Sequence, residues 1–357
     1  MDRYKRLKQK VQWEIRKANK KYMEEVSTDY KDNSIKFWSY IKSKGQEWIG
    51  VAPLKNKMGF LQSDNKSKAE ILNEQFQSVF TKEIINNFPN KGKSPYSTME
   101  DIKINSKGVH TLLKNLKPHK AIGPDSIPSC ILKAAADQLA PILTEIYQTS
   151  LNTGVVPQDW KDAHVVPLFK RDERHLAYNY RTVSLTSITC KVMEHIVHSS
   201  VMGHCDRNKI LTNAQHGFCK KRSCESQLII TIHDIASKLE RDSQVDIILL
   251  DFAKAFDKVP HHRLLHKLEY YGVNPKTNRW IRSSLENRKQ SVILEGTVSK
   301  QVPVLSGVPQ CTVLEPLLTC QKQQLHQRPN YLQMTAFFTV PFTTRLTVTY
   351  CRGTLQL

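Results

Sequence analysis

Tyr4, Leu7, Val11, Ile15, Ala18 and Tyr22 recur at steps of three and four residues, which predicts an amphipathic helix at the start of the chain. A second such pattern begins at Lys66 in KSKAEILNEQFQSVFTK, with Asp64 or Ser67 placed to cap it. Residues 105–117 give a third helix, and CILKAAADQLAPILTEIYQTSLNTG, from Cys130, reads as one long apolar helical stretch closed by Gly154. HVVPLF (164–169) and DIILLD (246–251) are too short for helices and read as strands. The second is a continuous apolar run, the pattern of a strand buried on both faces, and Asp251 emerges at its carboxyl end. Helices interleaved with short strands predict an α+β fold.

Residues 32–62 carry FWSYIKSK, then three Gly and a Pro, and predict a short helix running into an irregular connection. INNFPNKGKSPYS (85–97) has the composition of a linker. The chain is therefore expected to comprise a basic helical extension over 1–82, a linker over 83–104, a main domain over 105–318 and a tail over 319–357.

Charge changes the picture most. Lys+Arg 53 against Asp+Glu 33 gives a formal charge of +20, which points to a polyanionic partner or to a merely basic soluble protein. Nine Lys and Arg against two acids fall between Met1 and Lys21, so the first helix either tracks a phosphate backbone or is simply solvated. The eight cysteines include no CxxC pair and no His spacing of a zinc site, and are read as free thiols in a reducing compartment. No apolar stretch approaches a membrane span of ~20 residues and the first residues are charged, so nucleus or cytoplasm is expected rather than secretion.

Six phrases then stand in one order: KAIGPDSIP (120–128), VPQDWKDAHVVPLFK (156–170), NYRTVSLTSITCKVMEHIV (179–197), QHGFCKKRSCESQL (215–228), LLDFAKAFDKVPHHRLLHKL (249–268) and SGVPQCTVLEPLL (306–318). Together they resemble the reverse transcriptase of non-LTR retrotransposons, the LINE-like elements of Jockey and chicken-repeat type, from about Asp32 to Leu318. The resemblance implies a right-hand polymerase with fingers and palm, an RNA template, a DNA primer and Mg²⁺. It makes Asp251 the catalytic metal ligand, with the Phe252 backbone carbonyl as a further oxygen of the kind hard Mg²⁺ prefers. Phe256 takes the place of a steric gate against the ribose 2′-hydroxyl, whereas by itself it would read as core. Asp257 is read as capping or pairing rather than binding metal. Lys170 and Arg181 fall where cations meet the triphosphate of the incoming nucleotide. Gln310 falls where a side chain contacts nucleotide and template, and Gly217, Lys220, Lys221 and Arg222 form a basic turn suited to template or primer phosphates or to plain solvation.

The pattern then breaks. Cys311 and Glu315 occupy positions where the family generally has glycine, and Thr182 a position of proline. The following Phe/Tyr-Ala-Asp-Asp hairpin, which supplies the remaining metal carboxylate, is missing: from Pro316 to Leu357 there is no Asp or Glu. YLQMTAFFTVPF (331–342) can, however, be encoded by codons that spell FADDCILYRTI in another frame, and ATG followed by ACN at Met334 and Thr335 forces the second Asp. A frameshift or a misplaced splice between Leu318 and Tyr331 accounts for both facts. The chain is thus expected to be an incomplete right-hand polymerase without a thumb, inactive as written, with a β-prone tail that is disordered or sticky. The alternatives are a non-catalytic nucleic-acid-binding remnant and a pseudogene product with an unpaired palm-sheet edge.

Overall fold

The computed structural model describes residues 2–28, 50–83, 92–211, 215–217, 219, 221–240, 247–252, 254–308, 332–334 and 348–353. The chain forms two units, Met1–Ala52 and Pro53–Leu357. The first contains α1 (Asp2–Thr28), a single 27-residue helix.

In the second unit a short antiparallel pair, β1 (Leu54–Lys55) and β2 (Leu61–Gln62), stands where an irregular connection was expected. The helix α2 (Asn65–Gln77) follows as predicted, and the Asp64 carboxylate accepts from Ser67 N at 2.8 Å to cap it. Then come α3 (Ser106–Lys114), α4 (Ser129–Ala134), α5 (Ala136–Thr153) and α6 (Gln158–Lys161). The stretch expected as one helix is two, parted at Ala135, which leaves the helical region at φ −93°, ψ 20°. Gly154 ends α5 at φ 72°, and a Cβ there would also meet Arg279 Cβ at 3.1 Å.

β3 (Ala163–Phe169) and β4 (Tyr180–Leu185) pair antiparallel, and β6 (Lys289–Leu294) joins β3 in parallel, with β7 (Thr297–Val298) and β8 (Val302–Pro303) antiparallel to β6. α7 (Ile188–Arg207) and α8 (Cys224–Leu239) precede β5 (Ile247–Phe252), and α9 (His261–Tyr270) and α10 (Pro275–Leu285) follow it. β5 lies between β9 (Leu332–Met334) and β10 (Val348–Gly353), parallel to both. The fold is thus mixed helix and sheet. β5 thus has a neighbour on each side, formed by residues 332–334 and 348–353 of the tail; the rest of 319–357 lies outside the described residues.

The core sits among α3, α5, α7, α9 and α10. On α5 the buried positions Ala136, Ala140, Leu143, Tyr147 and Leu151 follow the helical period. Trp280 is fully buried and its indole N–H still finds a partner, Ser150 Oγ at 3.0 Å, while Tyr147 OH donates to Thr189 O at 2.8 Å. A division at 82/83 is not observed: α2 buries Ala69, Leu72 and Phe76, and its Asn73 and Lys66 donate to Lys300 O and Val298 O, so residues 53–82 belong with the sheet.

Candidate nucleotide and nucleic-acid site

The register of the β3–β4 pair decides where its cations lie. Leu168 is opposite Arg181 and Lys170 N donates to Asn179 O at 2.9 Å, so Lys170 and Arg181 fall on one face of the hairpin. Both are exposed, next to the 56% exposed Leu168. The opposite face carries Phe169 and Tyr180, packed edge to face at 5.5 Å, and Arg174 lies 4.8 Å over the Phe169 ring. Thr182 and Ser184 share that opposite face and line a recess of about 30 Å³ with Lys254, Asp257, Arg288 and Ser306. That is room for about one water, far below a ligand site of ~300 Å³, so the cations of the exposed face do not look into it.

Asp251 is the penultimate residue of β5, at the carboxyl end predicted for it. Its register partner on β10 is Arg352, and Phe252 is paired with Gly353. On the other side β9 reaches only Leu249, which lies opposite Met334.

The turn after β5 is fastened to the start of the GVPQ phrase. Ser306 Oγ donates to Asp257 O at 2.7 Å, Val308 N to Phe256 O at 3.1 Å and Gly307 N to Val259 O at 2.8 Å. Gly307 sits at φ +83°, and a Cβ there would lie 2.7 Å from the carbonyl oxygens of Phe256 and Asp257, so only glycine fits. His261 Nε2 meets Gly307 O at 2.7 Å; since a carbonyl only accepts, the imidazole donates there. Burial pushes the His261 pKa down, against an opposing pull from that carbonyl bond. Phe256 is half-buried and packs against the hydrophobic core. The Glu83 carboxylate caps the next helix, accepting from His262 N and Arg263 N at 3.0 Å each, while Thr81 N donates to Ser306 Oγ.

Gly217 and Lys221 are exposed, Lys221 at φ 61°, but Arg222 turns inward and donates to Gln215 O at 2.7 Å, closing the turn. Lys220 and Gln310 lie outside the described residues. A second buried group escaped the sequence. Arg288, just before β6, faces Glu194 and Cys190 on α7, and Cys190 Sγ lies 3.7 Å from Glu194 Oε1. Burial lowers the Arg288 pKa, and Glu194 opposes it. No local pattern marks such a pair, because its members are 94 residues apart and read singly as surface charges.

Comparison with known proteins adds the identity of this region. Residues 169–324 match the family described as reverse transcriptase (RNA-dependent DNA polymerase). The chain is 28% identical over 211 residues to the RNA-directed DNA polymerase from mobile element jockey of Drosophila melanogaster, covering 59% of this chain and 23% of that protein. It is 25% identical over 308 residues to the probable RNA-directed DNA polymerase from transposon BS of the same species, covering 82% and 33%, and 28% identical over 210 residues to that from transposon X-element, covering 57% and 22%. The chain thus spans at most a third of the length of these relatives. Residues 169–324 match a reverse transcriptase domain, and the chain is a homologue of the RNA-directed DNA polymerases of Drosophila non-LTR retrotransposons.

Proposed function

We propose that this chain is a reverse transcriptase-fold protein, with fingers and part of a palm, that holds template, primer and nucleotide but does not polymerise. The observation that carries the reading is the neighbour of Asp251: the register position beside it on β10 is Arg352, and residues 316–357 contain no carboxylate. A two-metal polymerase centre needs several converging carboxylates to hold cations about 3.5–4 Å apart. One carboxylate, a backbone carbonyl and a neighbouring guanidinium position do not make such a donor set, so the Mg²⁺ usual for the family does not fit these residues as a catalytic pair. What remains supports binding. Lys170 and Arg181 form an exposed cationic pair for phosphate, Gly217 and Lys221 lie on an exposed basic turn, and the +20 charge draws polyanions. No helix among the described residues is long and apolar enough to cross a membrane.

The test is primer extension on poly(rA) with oligo(dT), dTTP and Mg²⁺, run beside anisotropy of the same labelled hybrid. The chain is expected to bind the hybrid in a salt-dependent way without extending it, and Lys170→Gln/Arg181→Gln to lower the slope of log K against log salt by up to about 2. Extension that disappears in Asp251→Asn would overturn the inactive reading. The encoding DNA bears on its origin: codons at 331–335 that cannot spell F-A-D-D in another frame would remove the frameshift account.

A further inference from the structure

The helix α1 has two faces of different chemistry. At 100° per residue Leu7, Val11, Ala18 and Tyr22 gather on one side, and Trp13 lies about 120–180° from them. Lys10, Arg16, Lys17 and Lys20, at i−3, i+3, i+4 and i+7 from Trp13, all fall within 60° of it on the wheel. All four are exposed, Trp13 is itself 57% exposed, and Lys17 Nζ lies 4.9 Å from its ring centroid. A tryptophan in the middle of a cationic face gains nothing by burial against the apolar side of its own helix. It does present a π-surface flanked by positive charge.

We propose that this face of α1 is a binding site for single-stranded nucleic acid, with a base stacked on Trp13 and the adjoining phosphates paired with Lys10, Lys17 and Lys20. Charge selects the occupant: the helix carries nine Lys and Arg against four acids, so a second copy of itself is repelled and a polyanion attracted. The aromatic ring selects a single strand, since stacking on an exposed ring requires an unpaired base, while phosphate contacts alone would serve a duplex equally. The site lies within the unit Met1–Ala52 and does not depend on the reading given for the reverse transcriptase domain.

Anisotropy of a labelled oligo(rU) titrated with the full chain tests the proposal. Trp13→Ala is expected to weaken binding at least 5-fold with an unchanged salt slope, and Trp13→Phe to retain most of the affinity. Lys10→Gln/Lys17→Gln is expected to lower the salt slope by about 1.4, the single-strand value for two phosphates. Affinity within twofold of the parent in Trp13→Ala overturns the proposal, as does loss of binding in Leu7→Gln/Val11→Gln with Trp13→Ala unaffected. Trp13-dependent binding to anionic vesicles but not to the oligonucleotide would assign the face to a lipid surface and overturn it equally. Lys170→Gln/Arg181→Gln reads the other site: indifference of hybrid binding to that variant counts against the function proposed above and leaves the Trp13 site standing.

Discussion

Residues 254–261 and β5 are neighbours in the chain, yet their surroundings differ in kind. The turn is bonded to 306–308 through Ser306, Gly307 and His261, and the helix beyond it is capped by Glu83. The strand is flanked by residues 332–334 and 348–353, which set Met334 opposite Leu249 and Arg352 opposite Asp251. The turn is held through particular side chains and one glycine, whereas the strand is held in a backbone ladder. Backbone pairing is permissive about side chains, whereas a left-handed glycine beneath two carbonyls is not. The turn therefore tolerates less change of sequence than the ladder.

The contrast is broken most strongly by Gly307→Ala. The Cβ clash and the positive φ together are expected to cost about 3 kcal/mol or more, read as a lower urea midpoint. A loss under about 1 kcal/mol would show that the turn yields easily and is no more constrained than the β5 ladder. Glu83→Ala comes next, at about 1–2 kcal/mol for two lost charge-assisted cap bonds, with Glu83→Gln milder. The smallest effect is on pH dependence. The folded-state pKa of His261 is depressed, so the unfolded chain binds more protons below about pH 6.5, and stability should fall as pH drops through that value toward the folded pKa. His261→Gln, which keeps a donor for Gly307 O, should flatten this slope in thermal melts. Part will remain, because burial also lowers the pKa of His164 on β3.

Local signals were legible where their partners are local. Asp64 three residues before Ser67, Gly154 after the last turn of α5 and the strand pattern of residues 164–169 could be read from the sequence because cap, stop and pleat are short-range events. Lys170 and Arg181 were named from a resemblance, and the β3–β4 register brings them to one face. Glu83 was not legible as a cap, since the amides it satisfies lie 179 and 180 residues away and nothing in TKEII marks it. The inward turn of Arg222 was likewise invisible: a basic loop looks the same in sequence whether its guanidinium meets phosphate or Gln215 O. The break at Ala135 fell within an apolar period that continues across it, so the pattern predicted one helix where two form.

The packing of α2 has a consequence for synthesis. Its contacts with the sheet run to Val298 and Lys300, 232 and 227 residues further along. At about 5–20 residues per second a ribosome takes roughly 10–45 s to deliver those partners, and through that interval Leu72 and Phe76 have no sheet to cover them. Folding of this unit therefore waits on translation, and the nascent chain carries an uncovered apolar helix face throughout that interval.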